Sequence, residues 1–402
     1  MTVVVVGAGQ AGVQAAASLR GNGYPGRITL VGDEPGEPYQ RPPLSKAYLE
    51  GTVGPERLTL RGSAFFAKNE IDVLPGRVTS IDRERNQVRL VDGEELGYGH
   101  LVLATGARNR ELPIPGARLD GVLGLRTRGD ADALRERLRA ADDIVVIGAG
   151  FIGLEFAAVA AKLGRFVTIV ETVDRVLARV VSPAVSAHYA ALHEAHGNRI
   201  MSGRSVTRLR GDSSVTGVEL SDGTVLPADL VVVGIGVRPN VELAAEAGLA
   251  VDNGILVDSG LSTSDPDISA IGDCAAYPSR FAPEPVRLES VQNAVDHARC
   301  LADKLTGGSA PYACVPWFWS DQFDAKLQIA GLATGYDRAI VQGEPGAFSV
   351  FCFQGDDLRA VESVNRPADH MAARRLFTAG ATLHPDDIGD GFELKRHLAS
   401  AG

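Results

Sequence analysis

A run of buried-strand residues leads into three closely spaced glycines twice in this chain. The first copy is Val3-Val4-Val5-Val6-Gly7-Ala8-Gly9-Gln10-Ala11-Gly12 and the second is Ile144-Val145-Val146-Ile147-Gly148-Ala149-Gly150-Phe151-Ile152-Gly153. Each is followed by an alanine-rich helical stretch and then by another apolar run closed by an acid, Asp33 after Ile28 to Val31 and Glu171 after Phe166 to Val170. In such a unit the first glycine takes the tight turn, the second lets the backbone approach a pyrophosphate, and the third lets helix pack on strand. The helix N-terminus then faces the phosphates, and an acid about 20 residues on accepts the ribose hydroxyls. One such fingerprint is weak evidence. Two, each with strand, helix and acid in register, predict two bound dinucleotides, and the economical reason to hold two on one chain is to pass a hydride between them.

The repetition extends further. Gln87 to Leu96 reads as a hairpin around Asp92-Gly93, taken as a two-residue turn, and a strand ending in glycine follows, Leu101 to Gly106. The second copy does the same around Asp222-Gly223 and then in Leu230 to Gly236. The expected plan is βαβ, a β-meander and a final strand reaching the ligand, twice over. Asp130 to Ala141 reads as a charged amphipathic connector, and Asp267 to Asp273 as a strand returning to the first domain. From about Pro311 the pattern changes to antiparallel strands at Lys326–Gly331, Arg338–Gly343, Ala347–Phe353 and Leu358–Val364, with a helix from Pro367. The fold class expected is therefore α/β: two Rossmann-like dinucleotide-binding domains plus a C-terminal α+β domain. The boundaries expected are 1–107 with 238–310, then 108–237, then 311–402.

Composition narrows the function. A formal net charge of −10 over 402 residues offers no global attraction to nucleic acid or anionic lipid. No stretch reaches the roughly 18 apolar residues of a membrane span, and Met1-Thr2 leads straight into the first strand, so a cytoplasmic location is expected. The four cysteines, Cys274, Cys300, Cys314 and Cys352, show neither C-x-x-C nor C-x4-C spacing, so neither a redox dithiol nor a metal site is expected. His188, His193 and His196 fall near a helix end without the H-E-x-x-H spacing and read as a solvated face.

Several further segments resemble a known family. Thr263 to Asp273 looks like the second flavin motif of glutathione-reductase-type flavoproteins. Taken together, Tyr39 to Lys46, Leu101 to Gly106, Gly148 to Glu155, Glu289 to Asn293, Pro316 to Ser320 and Glu362 to Asn365 resemble the NADH-dependent ferredoxin reductases. The resemblance runs from residue 1 to about 375. Relatives that reduce disulfides or peroxide carry a cysteine after the first acidic ribose residue; the segment from Glu37 to Lys46 has none.

The resemblance implies FAD at the N-terminal site, NADH at the central one, and a small acidic two-iron, two-sulfur ferredoxin as partner, which would feed a monooxygenase or ring-hydroxylating oxygenase. It implies that Gly7, Gly9, Ala11, Gly12, Asp33, Val78, Thr105, Gly106, Arg126, Gly272, Asp273, Val291 and Trp317 serve FAD. Gly148, Gly150, Ile152, Gly153, Glu171 and Gly236 would serve NADH. Lys46 is placed near flavin N5, with Glu155 as its pairing carboxylate; read without the resemblance, Glu155 is a solvated helix residue. Two alternatives stay open: another acceptor (a rubredoxin, a quinone or monodehydroascorbate), or a binding and signalling flavoprotein like the apoptosis-inducing-factor relatives. Arg61, Arg299, Lys304, Lys326, Lys395 and Arg396 are candidates for a cationic rim that receives an acidic partner.

Overall fold

A computed structural model describes residues 1–389 and 391–400. Packing divides the chain into two compact units, one formed by 1–40, 56–108 and 238–316, the other by 41–55, 109–237 and 317–402.

The first unit is built on a parallel sheet in the order Ile268–Ala270, His100–Leu103, Val3–Val6, Ile28–Gly32, Ile71–Pro75. Val3 to Val5 and Leu101 to Leu103 are almost wholly buried, as strands covered on both faces must be. The helix Gln10–Gly21 turns its small residues inward and packs along the helix Val291–Leu305. A three-stranded antiparallel meander, Val78–Asp82, Gln87–Leu90 and Glu95–Gly97, belongs to the same unit.

The second unit repeats the plan. Its parallel sheet runs Arg199–Met201, Val167–Val170, Ile144–Ile147, Leu230–Val233, Val122–Gly124, and its meander is Val206–Arg210, Gly217–Leu220, Val225–Pro227. The charged connector is the helix Arg128–Ala140. The two meander turns differ from the expected two-residue form. Each has a three-residue loop closed by a left-handed glycine: Leu90 N–H donates to the Glu94 carbonyl with Gly93 at φ +92°, and Leu220 N–H donates to the Thr224 carbonyl with Gly223 at φ +84°. In both, the aspartate before the glycine accepts from the backbone N–H two residues on, a local bond that favours this loop over the tighter one.

The same unit holds a five-stranded antiparallel sheet, ordered Trp317–Gln322, Ala325–Gly331, Asp357–Val364, Ala347–Gln354, Arg338–Glu344, on which the helix Pro367–Ala379 packs. Four of these strands match the sequence expectation to within a residue. The fifth, Trp317–Gln322, is not among the strands the sequence predicts. Its inward residues are the polar Ser320 and Gln322, so the usual alternation of apolar-in and polar-out is inverted there. Among the described residues no helix is long and apolar enough to cross a membrane.

Candidate functional site

At the first fingerprint, Gly7 sits at φ +113° and a Cβ there would lie 2.2 Å from the Ala104 carbonyl oxygen; one on Gly12 would lie 1.9 Å from the Gly7 oxygen. Those two glycines are demanded by packing. Gly9, the N-cap residue of the helix, has extended backbone, and a Cβ on it would meet nothing within 4 Å. Open space at a helix N-terminus, walled by close-packed glycines behind it, fits a pyrophosphate. The second fingerprint repeats the arrangement: a Cβ on Gly148 would meet the Gly234 oxygen at 2.5 Å and one on Gly153 the Gly148 oxygen at 2.3 Å, while the nearest atom to one on Gly150 is 3.9 Å away. Both cradles therefore suit the dinucleotides their sequences imply.

The acids are placed differently. Gly7 N–H bonds the Val31 carbonyl and Gly148 N–H the Val170 carbonyl, both at 2.8 Å, so Glu171 corresponds in register to Gly32, and Asp33 falls one residue later. Glu171 accepts backbone N–H bonds from Ala149 (2.7 Å), Thr172 (2.7 Å) and Val173 (3.2 Å), which fix its carboxylate against the glycine loop. Asp33 is exposed, and the neighbouring Glu34 takes the Tyr39 hydroxyl.

Within the first unit Ala11, Gly12, Thr105 and Gly272 lie against the same glycine loop. A Cβ on Gly272 (φ +75°) would lie 2.9 Å from the Ala11 methyl. Thr105 and Asn240 exchange two bonds, at 2.7 and 2.8 Å, that hold the loop bearing Gly106. Gly272 N–H donates to His297 Nδ1 at 3.1 Å, and burial pushes that histidine down to about 3, so it stays neutral and able to accept. Asp273 follows in a short 3-10 turn. Val291 opens a helix capped by Ser290, whose Oγ accepts from Asn293 N–H. Val78 is a buried meander residue.

Lys46, Arg126 and Trp317 belong by packing to the second unit, as do Glu155, Gly236 and the second fingerprint. The Pro42–Ser45 turn presents Lys46, whose Nζ lies 2.6 Å from Glu155 Oε2. Glu155 is only 3% exposed, which overturns its reading as a solvated helix residue: every helix position from Gly153 to Ala160 is covered. Its carboxylate also accepts from Ser45 Oγ (2.6 Å) and Ser320 Oγ (2.7 Å). Arg126 is held at the backbone, its N–H bonded to Asp130 and its carbonyl to Arg41. Trp317 stands 5.7 Å from Trp319, with the Arg374 guanidinium 4.5 Å over its ring. Ile152 is unusually exposed for its type, and Gly236, at φ +97°, accepts from Arg110 N–H.

Two other expectations change. His193 is fully buried, bonded to Gln322 and Asn198, and pushed down to about 4 by desolvation, so only His196 of the trio is a solvated residue; His188 is half-buried. Lys304 is tied to the Gly260 carbonyl and Ser262 Oγ and is a structural residue, whereas Arg61, Arg299, Lys326, Lys395 and Arg396 are exposed. The four cysteines are free, and burial raises the pKa of all four, Cys314 to about 11. Among the described residues no cluster could hold a metal ion.

Comparison with known proteins is decisive. Residues 1–298 match the family described as pyridine nucleotide-disulphide oxidoreductase, and residues 317–398 match the family described as reductase C-terminal. The chain is 52% identical to rhodocoxin reductase of Rhodococcus erythropolis over 99% of its own length and 95% of the relative's. It belongs to the ferredoxin reductases of this family. Two solved structures agree across the whole chain. The ferredoxin reductase for the CYP199A2 system of Rhodopseudomonas palustris superposes with a TM-score of 0.97 at 50% identity, covering 100% of both chains. The reductase in the covalent putidaredoxin reductase–putidaredoxin complex gives 0.96 at 45% identity, covering 100% of this chain and 98% of that one. Membership fixes the class: an FAD- and NADH-dependent oxidoreductase. The disulphide of the family description has no counterpart in this chain.

No motif in the sequence points to a role for Ser45, Ser320, Gln322 or Asn198, and His193 is expected only as a solvated residue. Ser45 was visible beside Lys46, but nothing in a linear pattern joins it to a strand near residue 320.

Proposed function

We propose that the chain takes hydride from NADH and passes single electrons to an acidic two-iron, two-sulfur ferredoxin that serves a monooxygenase or ring-hydroxylating oxygenase. The observation that carries the reading is the pair of matching glycine cradles on a chain in which Lys46 pairs with the buried Glu155 carboxylate and no thiol is poised to react. In this reading residues 1–107 and 238–310 form the FAD domain, 108–237 the NADH domain and 311–402 the C-terminal domain. Bound FAD supplies the conversion between a two-electron donor and a one-electron acceptor.

The protein's own part is binding, orientation and electrostatics. Gly7, Gly9 and Gly12 receive the FAD pyrophosphate at a helix N-terminus, with Ala11, Val78, Thr105, Gly106, Gly272, Asp273 and Val291 lining the remainder and Asp33 serving the ribose. Gly148, Gly150, Ile152, Gly153 and Gly236 form the NADH site, and Glu171 takes the ribose hydroxyls. Lys46 would offer its ammonium to the flavin, with Glu155 holding that ammonium in place; Arg126 would add a second cation, and Trp317 would exclude water. Because a buried carboxylate satisfies the lysine, the cation is fixed before the chemistry rather than recruited during it.

An acceptor panel under NADH tests the assignment: an acidic two-iron, two-sulfur ferredoxin, a rubredoxin, a quinone and ferricyanide. We expect the ferredoxin to give the highest kcat/KM. Charges at a rim act on encounter rate, so raising the salt should slow ferredoxin reduction far more than ferricyanide reduction. Equal turnover with quinone or rubredoxin, or turnover with ferredoxin that ignores salt, refutes the acceptor assignment.

A further inference from the structure

The Lys46–Glu155 pair ends a longer chain of hydrogen bonds whose polarity is set at its far end. Val167 N–H donates to Asn198 Oδ1 (3.3 Å), so Asn198 Nδ2 is the donor, and it reaches both the Ala157 carbonyl (3.4 Å) and His193 Nδ1 (3.0 Å). His193 Nδ1 is therefore an acceptor, and its proton sits on Nε2, 2.9 Å from Gln322 Oε1. That orients the amide, so Gln322 Nε2 donates to Ser320 Oγ (3.2 Å), and Ser320 Oγ donates to Glu155 Oε1 (2.7 Å). The other oxygen, Oε2, takes Ser45 Oγ and Lys46 Nζ.

Every donor in the series points toward the carboxylate. Asn198, His193, Gln322, Ser320 and Glu155 are all at most 3% exposed. Buried chains of this kind polarise one another, and each link fixes the rotamer of the next. The members come from five separate segments: the turn before Lys46, the second fingerprint helix, the helix Pro183–Ala195, the loop after it that carries Asn198, and the strand Trp317–Gln322. Desolvation keeps His193 neutral down to about 4, so the direction of the chain holds throughout the neutral range.

We propose that Ser320, Gln322 and His193 are positioning residues for the reduction: through a one-way hydrogen-bond chain they hold the Glu155 carboxylate, and so set where the Lys46 ammonium stands. The proposal rests on the reading of Lys46 as the cation that serves the reduced flavin, and it adds residues that no fingerprint contains. Loss of the Ser320 hydroxyl frees one carboxylate oxygen, lets Glu155 turn, and loosens Lys46 without removing its charge.

The test uses the FAD-loaded enzyme and two readouts other than turnover. The first is the flavin midpoint potential at pH 7 in wild type, Ser320→Ala, Ser320→Thr, Gln322→Leu, Lys46→Met and Glu155→Gln. Ser320→Ala and Gln322→Leu should each lower the equilibrium constant for two-electron reduction by about threefold to tenfold, a fall of up to about 30 mV. Ser320→Thr, which keeps the hydroxyl, should restore it, and Lys46→Met should lower it further. The second readout is the nitrogen chemical shifts of His193, assigned by their loss in His193→Gln. We expect the neutral Nε2–H tautomer from pH 6 to 8. If Lys46→Met and Glu155→Gln change the potential while Ser320→Ala and Gln322→Leu leave it unmoved, the proposal is wrong and the Lys46 reading survives. If Lys46→Met itself leaves the potential unmoved, that underlying reading fails and takes the proposal with it. An Nδ1–H tautomer at His193 would reverse the chain and overturn it independently of the flavin.

Discussion

At the scale of single residues, glycines that look alike in the sequence do different work. A side chain at Gly7 or Gly12 would strike a carbonyl oxygen, and Gly7 is also at a positive φ, so substitution there breaks the fold itself. Gly9 has ordinary extended backbone and open space before it. We therefore expect Gly9→Val to yield a folded but flavin-poor protein, its FAD binding weakened by about 1–3 kcal/mol, the scale of an overpacked contact. Gly12→Val should fail to fold. Circular dichroism with the flavin-to-protein absorbance ratio separates the two, and an FAD-replete Gly9→Val protein would show that the pyrophosphate lies elsewhere. Glu171 gives a second prediction. Its carboxylate is pinned by three backbone donors, so it cannot swing away from a 2′-phosphate, and like charges held together cost several kcal/mol. NADH should be strongly preferred over NADPH; equal kcat/KM for the two would refute the role given to Glu171.

At the scale of elements, the helix Arg128–Ala140 shows how capping supports the residue ahead of it. Thr127 Oγ1 accepts from Asp130 N–H at 3.1 Å, and the Asp130 carboxylate returns bonds to the N–H groups of Thr127 and Arg126. This reciprocal box sets the backbone at Arg126. Thr127→Ala should cost about 1 kcal/mol, read as a lower urea midpoint with unchanged slope. A second element-scale feature is the seam between the strand Asp357–Val364 and the start of the helix Pro183–Ala195. There Glu362, fully buried, accepts from the backbone N–H and hydroxyl of Ser182, the N-cap residue. Burial raises its pKa from the ordinary glutamate range to about 7, against the lowering effect of the Ser182 bonds and Arg175. An acid raised in the folded state binds its proton more tightly there than when unfolded. Its stabilising contribution is complete below about 4.5 and is lost as pH rises through about 7. Glu362→Gln should remove that loss, so its stability relative to wild type should improve between pH 5 and 8; a constant difference across that range would contradict the assignment.

At the scale of the whole molecule, the opposite pH effect comes from histidines. His100, His193 and His370 are each pushed down to about 4 and His297 to about 3, all chiefly by desolvation. A depressed histidine contributes stability that is present above the unfolded value near 6.5 and lost as pH falls toward the folded one. Four such groups outweigh one raised carboxylate, so the chain should unfold steeply between about pH 6 and 4, with more than one proton taken up per molecule. A pH series of urea midpoints that is flat there would show these rings to be charged or exposed. The thiols make a further whole-chain prediction. With the pKa of all four raised by burial, none is a thiolate at neutral pH. Replacing all four by alanine should leave NADH-to-ferricyanide turnover intact, with stability lost at buried Cys274 and Cys352.

Local chemistry was legible from the residues alone because it is local. Strand–glycine–helix units, their repetition, the meanders and four of the C-terminal strands each depend on neighbours a few positions away, and the residue types report them directly. The turn at Asp92-Gly93 was legible as a turn but not as its three-residue form, which an aspartate side chain and a left-handed glycine decide jointly. What tertiary structure alone decided is the company each polar residue keeps. Glu155 and His193 carry the same helix-surface pattern whether solvated or buried, and only packing against the strand Trp317–Gln322 takes them from water. Ser320 and Gln322 face inward because partners distant in the chain satisfy them there, and no period of two or 3.6 residues encodes a bond between positions 155 and 320. A buried polar group is stable only when its partner arrives, and that partner is chosen by the fold.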